Sequence, residues 1–406
     1  MKSLLAVIIA ASLAGCNQNE VVVDKEVTSA NKIQKSKGME GATRAFAKRE
    51  SDALAQEFVG VRTSDGIQSG LFPIKSTGVS TKPIVDAAQL FLAQLSQEQQ
   101  KRTSFSVDDI EWRKWLNVDN GIYDRQGVSL KEMTPSQKAL AFEMLKASLS
   151  ARGLQQTRDI MKTDQTLREL NNGAPHLDEE LYFITIMGTP SETQPWGWQI
   201  DGHHLAINYF ILGDQVVFSP AFMGAEPVLA TSGKHKGNLL FQDEQNFGLA
   251  LMQNFDKSQQ DQARIDEKRR ENLKAAGFQD NLTLDYQGIN TKSMTPKQRA
   301  DLLALIEQYI GKMREGHAKV KMADVQKHID NTWFGWAGDT TDDGVFYYRI
   351  HSPVVLIEFD HQAPIGVPSN DRSPTRNHIH TMIRTPNGND YGKDLLKQHL
   401  KAHHHD

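Results

Sequence analysis

The residues best suited to chemistry lie in the last third of the chain. Asn377-His378-Ile379-His380-Thr381-Met382-Ile383-Arg384 alternates with period two. A strand there puts both imidazoles on one face and the isoleucines on the other. Two histidines at i and i+2 can chelate one divalent ion, and a carboxylate from a neighbouring strand completes a facial set. The segment Val354 to His361 offers such a strand, with Glu358 and Asp360 sharing one face of an otherwise apolar run. The expected ligands are therefore His378, His380 and Glu358, with His204 as a fourth. His203 and His204 point to opposite faces of a strand, so one of them at most can join. His204 is chosen because its face continues with Ala206 and Asn208. Asp360 is the candidate partner of a ligand or general base. Arg349, which shares a face with Tyr347, is the candidate substrate anchor. Zinc is the first choice of metal, because it accepts His and carboxylate ligands without redox demands; iron and copper are the redox-active alternatives. An open coordination position would activate water for hydrolysis or bind oxygen, giving a metal-dependent hydrolase or oxidoreductase.

Plainer readings stand beside these. Glu358 could be neutralised by Arg349 with no function attached. Asp360 and His361 could be a polar strand end, and His403 to His405 a solvated tail. All six tryptophans fall in close pairs, Trp112/Trp115, Trp196/Trp198 and Trp333/Trp336. Trp196, Trp198 and Tyr347 are candidate substrate contacts. A groove lined by tryptophans would suit a glycan or small ligand and a non-enzymatic binding protein, although core packing is the commoner fate of tryptophan. The chain has no P-loop, nucleophile elbow or dinucleotide-binding glycine pattern.

Elements that position these residues are visible as a repeat. Gly127-Val-Ser-Leu-Lys-Glu-Met-Thr-Pro-Ser-Gln137 matches Gly288-Ile-Asn-Thr-Lys-Ser-Met-Thr-Pro-Lys-Gln298 at Gly, Lys, Met, Thr, Pro and Gln. Thr134 and Thr295 read as N-caps, Pro135 and Pro296 as first helical residues, and Gln137 and Gln298 as capping-box partners. Each box opens an amphipathic helix, and each helix is followed by a tryptophan pair and a meander of strands. The first meander is expected to turn at Asp201-Gly202 and Gly213-Asp214, the second at Asp342-Asp343-Gly344 and His351-Ser352-Pro353. Further helices are expected at Ile84 to Leu95, Leu154 to Leu170, Phe241 to Ala276 with a break near Asp256, Val320 to Asn331 and Tyr391 to Ala402. Ser96 to Gln99 forms another capping box. The fold class is α+β, capped helices on antiparallel meander sheets, with an internal duplication. Its diverged halves are about 127–230 and 288–402 within a folded body of 45–402, ahead of a histidine-rich tail at 403–406.

Composition sets the setting. The 406 residues carry 46 Lys+Arg against 50 Asp+Glu, with no basic stripe, so nucleic acid is not an expected partner. Met1-Lys2 precedes an apolar run from Leu4 to Leu13, too short to span a bilayer and suited to a signal peptide. The closing Leu13-Ala14-Gly15-Cys16 resembles the lipobox of bacterial lipoproteins. That resemblance implies removal of residues 1–15 and acylation of Cys16, which anchors the chain to a lipid bilayer. Cys16 is the only cysteine, so neither disulfides nor thiolate ligands are available to the body. Asn17 after it favours the outer membrane, with the body on the periplasmic or cell-surface side. Residues 16–44 read as the lipidated cysteine and a flexible tether.

Several strings also resemble a family known as domain of unknown function 3500. They are Trp196-Gly-Trp198-Gln with Gly202-His203-His204-Leu205, then Phe222-Met223-Gly224-Ala225 with Pro227. Tyr347-Tyr-Arg349-Ile, Glu358-Phe-Asp360 and Asn377-His378-Ile-His380 follow, with Asn389-Asp390-Tyr391-Gly392, Asp394-Leu395-Leu396 and His399. The resemblance covers roughly residues 80 to 402. It implies signature positions at His203, His204, Glu358, Asp360, His378, His380, Asp390 and His399, and names no reaction.

Overall fold

The computed structural model of the chain describes residues 37–266 and 272–403. The segment read as a signal peptide, the candidate lipidation site Cys16 and the tail beyond His403 lie outside the described residues. Helix α1 (Lys37–Leu54) begins inside the stretch read as a tether. It is followed by α2 (Lys82–Gln94), α3 (Gln97–Thr103), β1 (Ser104–Phe105), β2 (Val128–Ser129), α4 (Pro135–Ser148) and α5 (Ala151–Leu170). Strands β3 (Phe183–Met187), β4 (Trp196–Gly202), β5 (Leu205–Leu212) and β6 (Gln215–Ala225) complete the first half. The second half repeats the plan: α6 (Gln242–Gln253), α7 (Lys257–Ala263), β7 (Arg264–Asp266), β8 (Ile289–Asn290), α8 (Pro296–Ile310) and α9 (Glu315–Lys327). It continues with β9 (Trp333–Gly338), β10 (Phe346–His351), β11 (Leu356–Gln362), β12 (Thr375–Arg384) and α10 (Lys393–His403).

One mostly antiparallel sheet runs through both halves in the order β1-β3-β4-β5-β6-β12-β11-β10-β9-β7. Read inward from either edge, the two halves have the same order. They meet where β6 and β12 pair antiparallel, with Phe222 opposite Met382. β2 on β3 and β8 on β9 are also equivalent. The α+β class and the internal duplication are therefore both present. Every residue of β3, β4, β5 and β10 is buried, so both faces of the sheet are covered.

The conserved spacing of the two repeats has a physical cause at each shared residue. Thr134 and Thr295 both close full capping boxes with Gln137 and Gln298. The same glutamines then reach back with Nε2 to the preceding helix ends, Gln137 to Gln94 O and Gln298 to Asn254 O. Gly127 and Gly288 have φ of +88° and +96°, and a Cβ would meet Ile184 O at 2.2 Å and Phe334 O at 2.1 Å. Only glycine fits there. Met133 and Met294 are both buried in the core.

Three expectations about elements are corrected. The helical pattern from Phe241 does not reach Ala276: after α7 the chain becomes β7, which pairs with β9. Asp201-Gly202 is not a turn; both residues remain in β4, and Gly202 pairs with Leu205. The hairpin therefore turns on His203-His204, and His204 takes the left-handed φ of +60°. A tryptophan groove is absent at Trp196 and Trp198, which are fully buried along with Trp112, Trp115 and Trp336. Tertiary packing claimed these rings: Trp198 stacks on Tyr209 with centroids 5.1 Å apart, and Trp196 donates its indole N–H to Ser191 O. Among the described residues no helix is long and apolar enough to cross a membrane.

Candidate metal centre

Where β6 and β12 pair at the middle of the sheet, His380 lies opposite Gly224. His378 stands two residues earlier on the same face of β12, as its alternation requires. The β4–β5 turn folds back over this pair, with Gly224 N donating to His204 O at 2.8 Å. The result is a cluster of three Nε2 atoms: His204–His378 at 3.2 Å, His204–His380 at 3.1 Å and His378–His380 at 3.0 Å. All three residues are buried, and among the described residues they form a group able to hold a metal ion.

Gly224 makes this convergence possible. A Cβ there would lie 2.9 Å from His380 Cδ2 and 3.0 Å from His204 Cδ2. The glycine is thus a gap through which two imidazoles pass. His378 is oriented by its other nitrogen, since Nδ1 donates to Ala363 O at 2.7 Å. That bond fixes the tautomer and leaves the Nε2 lone pair aimed at the cluster. Glu226 stands behind it, with Oε2 3.6 Å from His378 Nδ1. The same carboxylate accepts the N–H groups of Ile365, Gly366 and Val367 at 2.8–2.9 Å, and so ties the loop carrying Ala363 into place. His204 is held differently. Its ring stacks on His203 with centroids 4.0 Å apart, while its Nδ1 is buried without a hydrogen-bond partner.

Electrostatics favour a cation at this point. Burial, then the neighbouring imidazoles, hold the pKa of His204 well below the usual histidine range. Burial also lowers that of His378, against the opposing pull of Glu226. Neutral imidazoles with lone pairs turned toward one another at 3.0–3.2 Å repel unless a proton or an electrophile lies between them. The donor set fits a divalent ion of the kind that accepts imidazole nitrogen, and it does not select among zinc, iron and copper.

A cavity of about 570 Å³ opens from the cluster. His203, His204, His378 and His380 form its polar end, while Phe46 of α1, Ile122, Leu177 and Ile365 give apolar wall. His203, expected to point away, also faces this cavity because the turn replaces the strand geometry. Its Nδ1 lies 2.5 Å from Asp164 Oδ1 on α5. Tyr182 Oη lies 2.9 Å from both Asp164 Oδ2 and His203 O. Burial works against a charged His203 ring, yet the Asp164 carboxylate outweighs it and raises the pKa.

The remaining sequence candidates sit elsewhere. Glu358 is not a ligand of this cluster. Its carboxylate accepts from Lys274 N at 2.9 Å, Ala275 N at 2.8 Å and the Tyr347 hydroxyl at 2.6 Å. Tyr347 is therefore committed to Glu358 and buried, away from the cavity wall. Asp360 pairs with His380 in register but accepts from Leu273 N and Gln362 Nε2, and it does not line the cavity. Arg349 is 2% exposed and donates to Gln287 Oε1 at 2.6 Å, so it anchors no ligand in the histidine cavity. Strand alternation put these groups on the correct face, with Asp360 directly opposite His380 and Glu358 two residues further along, opposite Met382, but other donors engage both carboxylates. Asp390 is buried against Arg384 at 2.9 Å and Thr385 N at 2.7 Å, a structural role. His399 lies on α10 beside His403. The residues sequence reasoning missed are Asp164, Gly224 and Glu226. Asp164 is one carboxylate among many on a helix, and Glu226 acts through a loop 139 residues away in sequence.

Comparison with known proteins adds the family. Residues 77–393 match the family described as Protein of unknown function (DUF3500). The chain belongs to this family. No curated protein and no solved structure matches the chain. The match spans every strand of the sheet and the whole histidine cluster, so the centre is part of the DUF3500 domain itself; α1 and most of α10 fall outside it.

Proposed function

We propose that this DUF3500 protein is an exported, lipid-anchored metalloenzyme of the hydrolase class, with His204, His378 and His380 holding a divalent ion. The observation that carries the reading is three buried Nε2 atoms within 3.2 Å of one another at the closed end of a ligand-sized cavity. Held by the three imidazoles of His204, His378 and His380, which add no negative charge, a divalent ion would supply Lewis-acid activation of water near neutral pH. Around that position the chain's own groups have defined tasks. His378 is fixed by Ala363 and Glu226, which keeps its lone pair directed inward. His203, held through Nδ1 by Asp164, presents its remaining nitrogen to the cavity, where it can take up or deliver a proton. Zinc is the first choice because this set suits it without redox demands. The leader, its lipobox and Asn17 support anchoring at the outer membrane, with the cavity open to the periplasm or the exterior.

The test is elemental analysis of untagged protein cut after Ala402, which removes the terminal histidines. Near-stoichiometric divalent metal is expected, with loss of it in His378→Ala/His380→Ala. Equal metal content in that variant would remove the centre. Incorporation of labelled palmitate, abolished by Cys16→Ser, tests the anchor.

A further inference from the structure

A second cavity, sharing no lining residue with the histidine site, lies between residues 71–77, the start of β6 and the α8–α9 corner. Phe72, Val217, Phe218, Met313, Ile383 and Leu395 make its wall apolar. Its charged lining is Lys75 and Lys321 against Asp324, with the imidazole of His317 beside them. His317 is 2% exposed and its Nε2 has no hydrogen-bond partner. Lys321, partly buried, donates to Val354 O at 2.8 Å, and the carboxylates of Asp324 and Asp390 act on it only through their charge. Burial lowers the pKa of both groups, which measures how poorly each charge is compensated. One turn before His317, Arg314 Nη1 is also buried without a partner, as is the hydroxyl of Tyr209. The Arg314 charge acts on both Tyr209 and His317, so these groups are neighbours. Among the described residues Asp324 is the one carboxylate of the lining, while Asp214 acts on His317 and Asp390 on Lys321 from outside it, and the groups left without a partner on this side can all donate. Buried donors in an apolar wall are costly unless an acceptor arrives from outside.

We infer that this cavity binds a short apolar carboxylic acid, its carboxylate against Lys321 and His317 and its hydrocarbon part against Phe72, Phe218 and Leu395. The amphiphile fits both halves of the lining: an alcohol would leave the excess positive charge of Lys75 and Lys321 over Asp324 unmatched, and a small inorganic anion would leave the apolar wall unfilled.

Calorimetric titration of the full chain at pH 7 with octanoate and with 1-octanol tests this. Octanoate is expected to bind at least tenfold more tightly than 1-octanol and to raise the melting temperature. Lys321→Met, which keeps the apolar stem, should weaken octanoate at least tenfold and leave 1-octanol unchanged; Lys321→Arg should restore it. Octanoate binding should persist in His378→Ala/His380→Ala, since the histidine centre takes no part. Equal affinity for acid and alcohol, no effect of Lys321→Met, absence of octanoate binding, or its loss in the histidine variant would each overturn the inference.

Discussion

Glu226→Gln separates an ordering role at the metal centre from a merely structural one. The carboxylate takes N–H groups from Ile365, Gly366 and Val367, two on Oε1 and one on Oε2. Hydrogen bonds to a charged acceptor contribute ~1.5–3 kcal/mol each, and neutral ones about 1 kcal/mol. Glutamine can keep the two bonds on one oxygen in weakened form, but it turns a donor toward Gly366. The loop should therefore lose about 3 kcal/mol of local stability. The same loop carries Ala363 O, which orients His378 through Nδ1 at 2.7 Å. Loosening such an outer partner typically costs a 10- to 100-fold loss of metal affinity, or about 1.4–2.8 kcal/mol. Zinc affinity measured by competition with a chromophoric chelator should fall by that factor. The gain in melting temperature on adding zinc should shrink in parallel, because ligand stabilisation follows RT ln(1 + [L]/Kd). A variant that loses thermal stability yet binds zinc as tightly as the parent would refute the coupling and leave Glu226 a loop anchor only.

Three further outcomes follow from local geometry. Gly224→Ala should retain the fold but displace the His380 and His204 rings, with at least a tenfold weaker zinc affinity in the same competition; unchanged affinity would mean the rings are not confined by the backbone. Gly288→Ala, at φ +96° with a Cβ 2.1 Å from Phe334 O, should destabilise by about 2 kcal/mol or more, read from the urea midpoint. An unchanged midpoint would show that this turn is not held as described. His351, fully buried with Nδ1 unpartnered, has its pKa pushed down to about 3, chiefly by burial and then by Arg349. The unfolded chain takes up this proton first, so stability is present above the ordinary histidine pKa of 6.5 and is lost as pH falls from there toward 3. Between pH 7 and 5 the loss amounts to about 2 kcal/mol, and His351→Phe should remove that part of the acid sensitivity. Parallel stability curves for the parent and this variant would contradict the assignment.

The alternation of His378 and His380 on β12 and the duplicated capping boxes were legible in the linear chain, whereas His204 joins them from a turn and not from the strand face on which it was chosen. Each depends on short-range rules: period two along a strand, and cap residues at fixed offsets. The remaining candidates failed where a longer distance decided. Glu358 and Asp360 do share a sheet face with the histidines, yet the segment around Leu273 to Ala275 reached Glu358 first with two backbone donors. The Asp201-Gly202 pair signals a turn, but β4 and β5 pair as far as Gly202 and Leu205, which moved the turn onto His203 and His204. That shift of register brought His203 to the cavity with Asp164 behind it.

The sequence alone determined the single cysteine, the two-part α+β plan and the pair of imidazoles on one strand face, because these follow from composition and local periodicity. The tertiary structure alone decided the site. Only the pairing of β6 with β12 sets Gly224 opposite His380, and only the folded loop brings Ala363 and Glu226 behind His378. Contacts between residues more than a hundred positions apart are set by how the two halves of the sheet meet, and no spacing within either half records that.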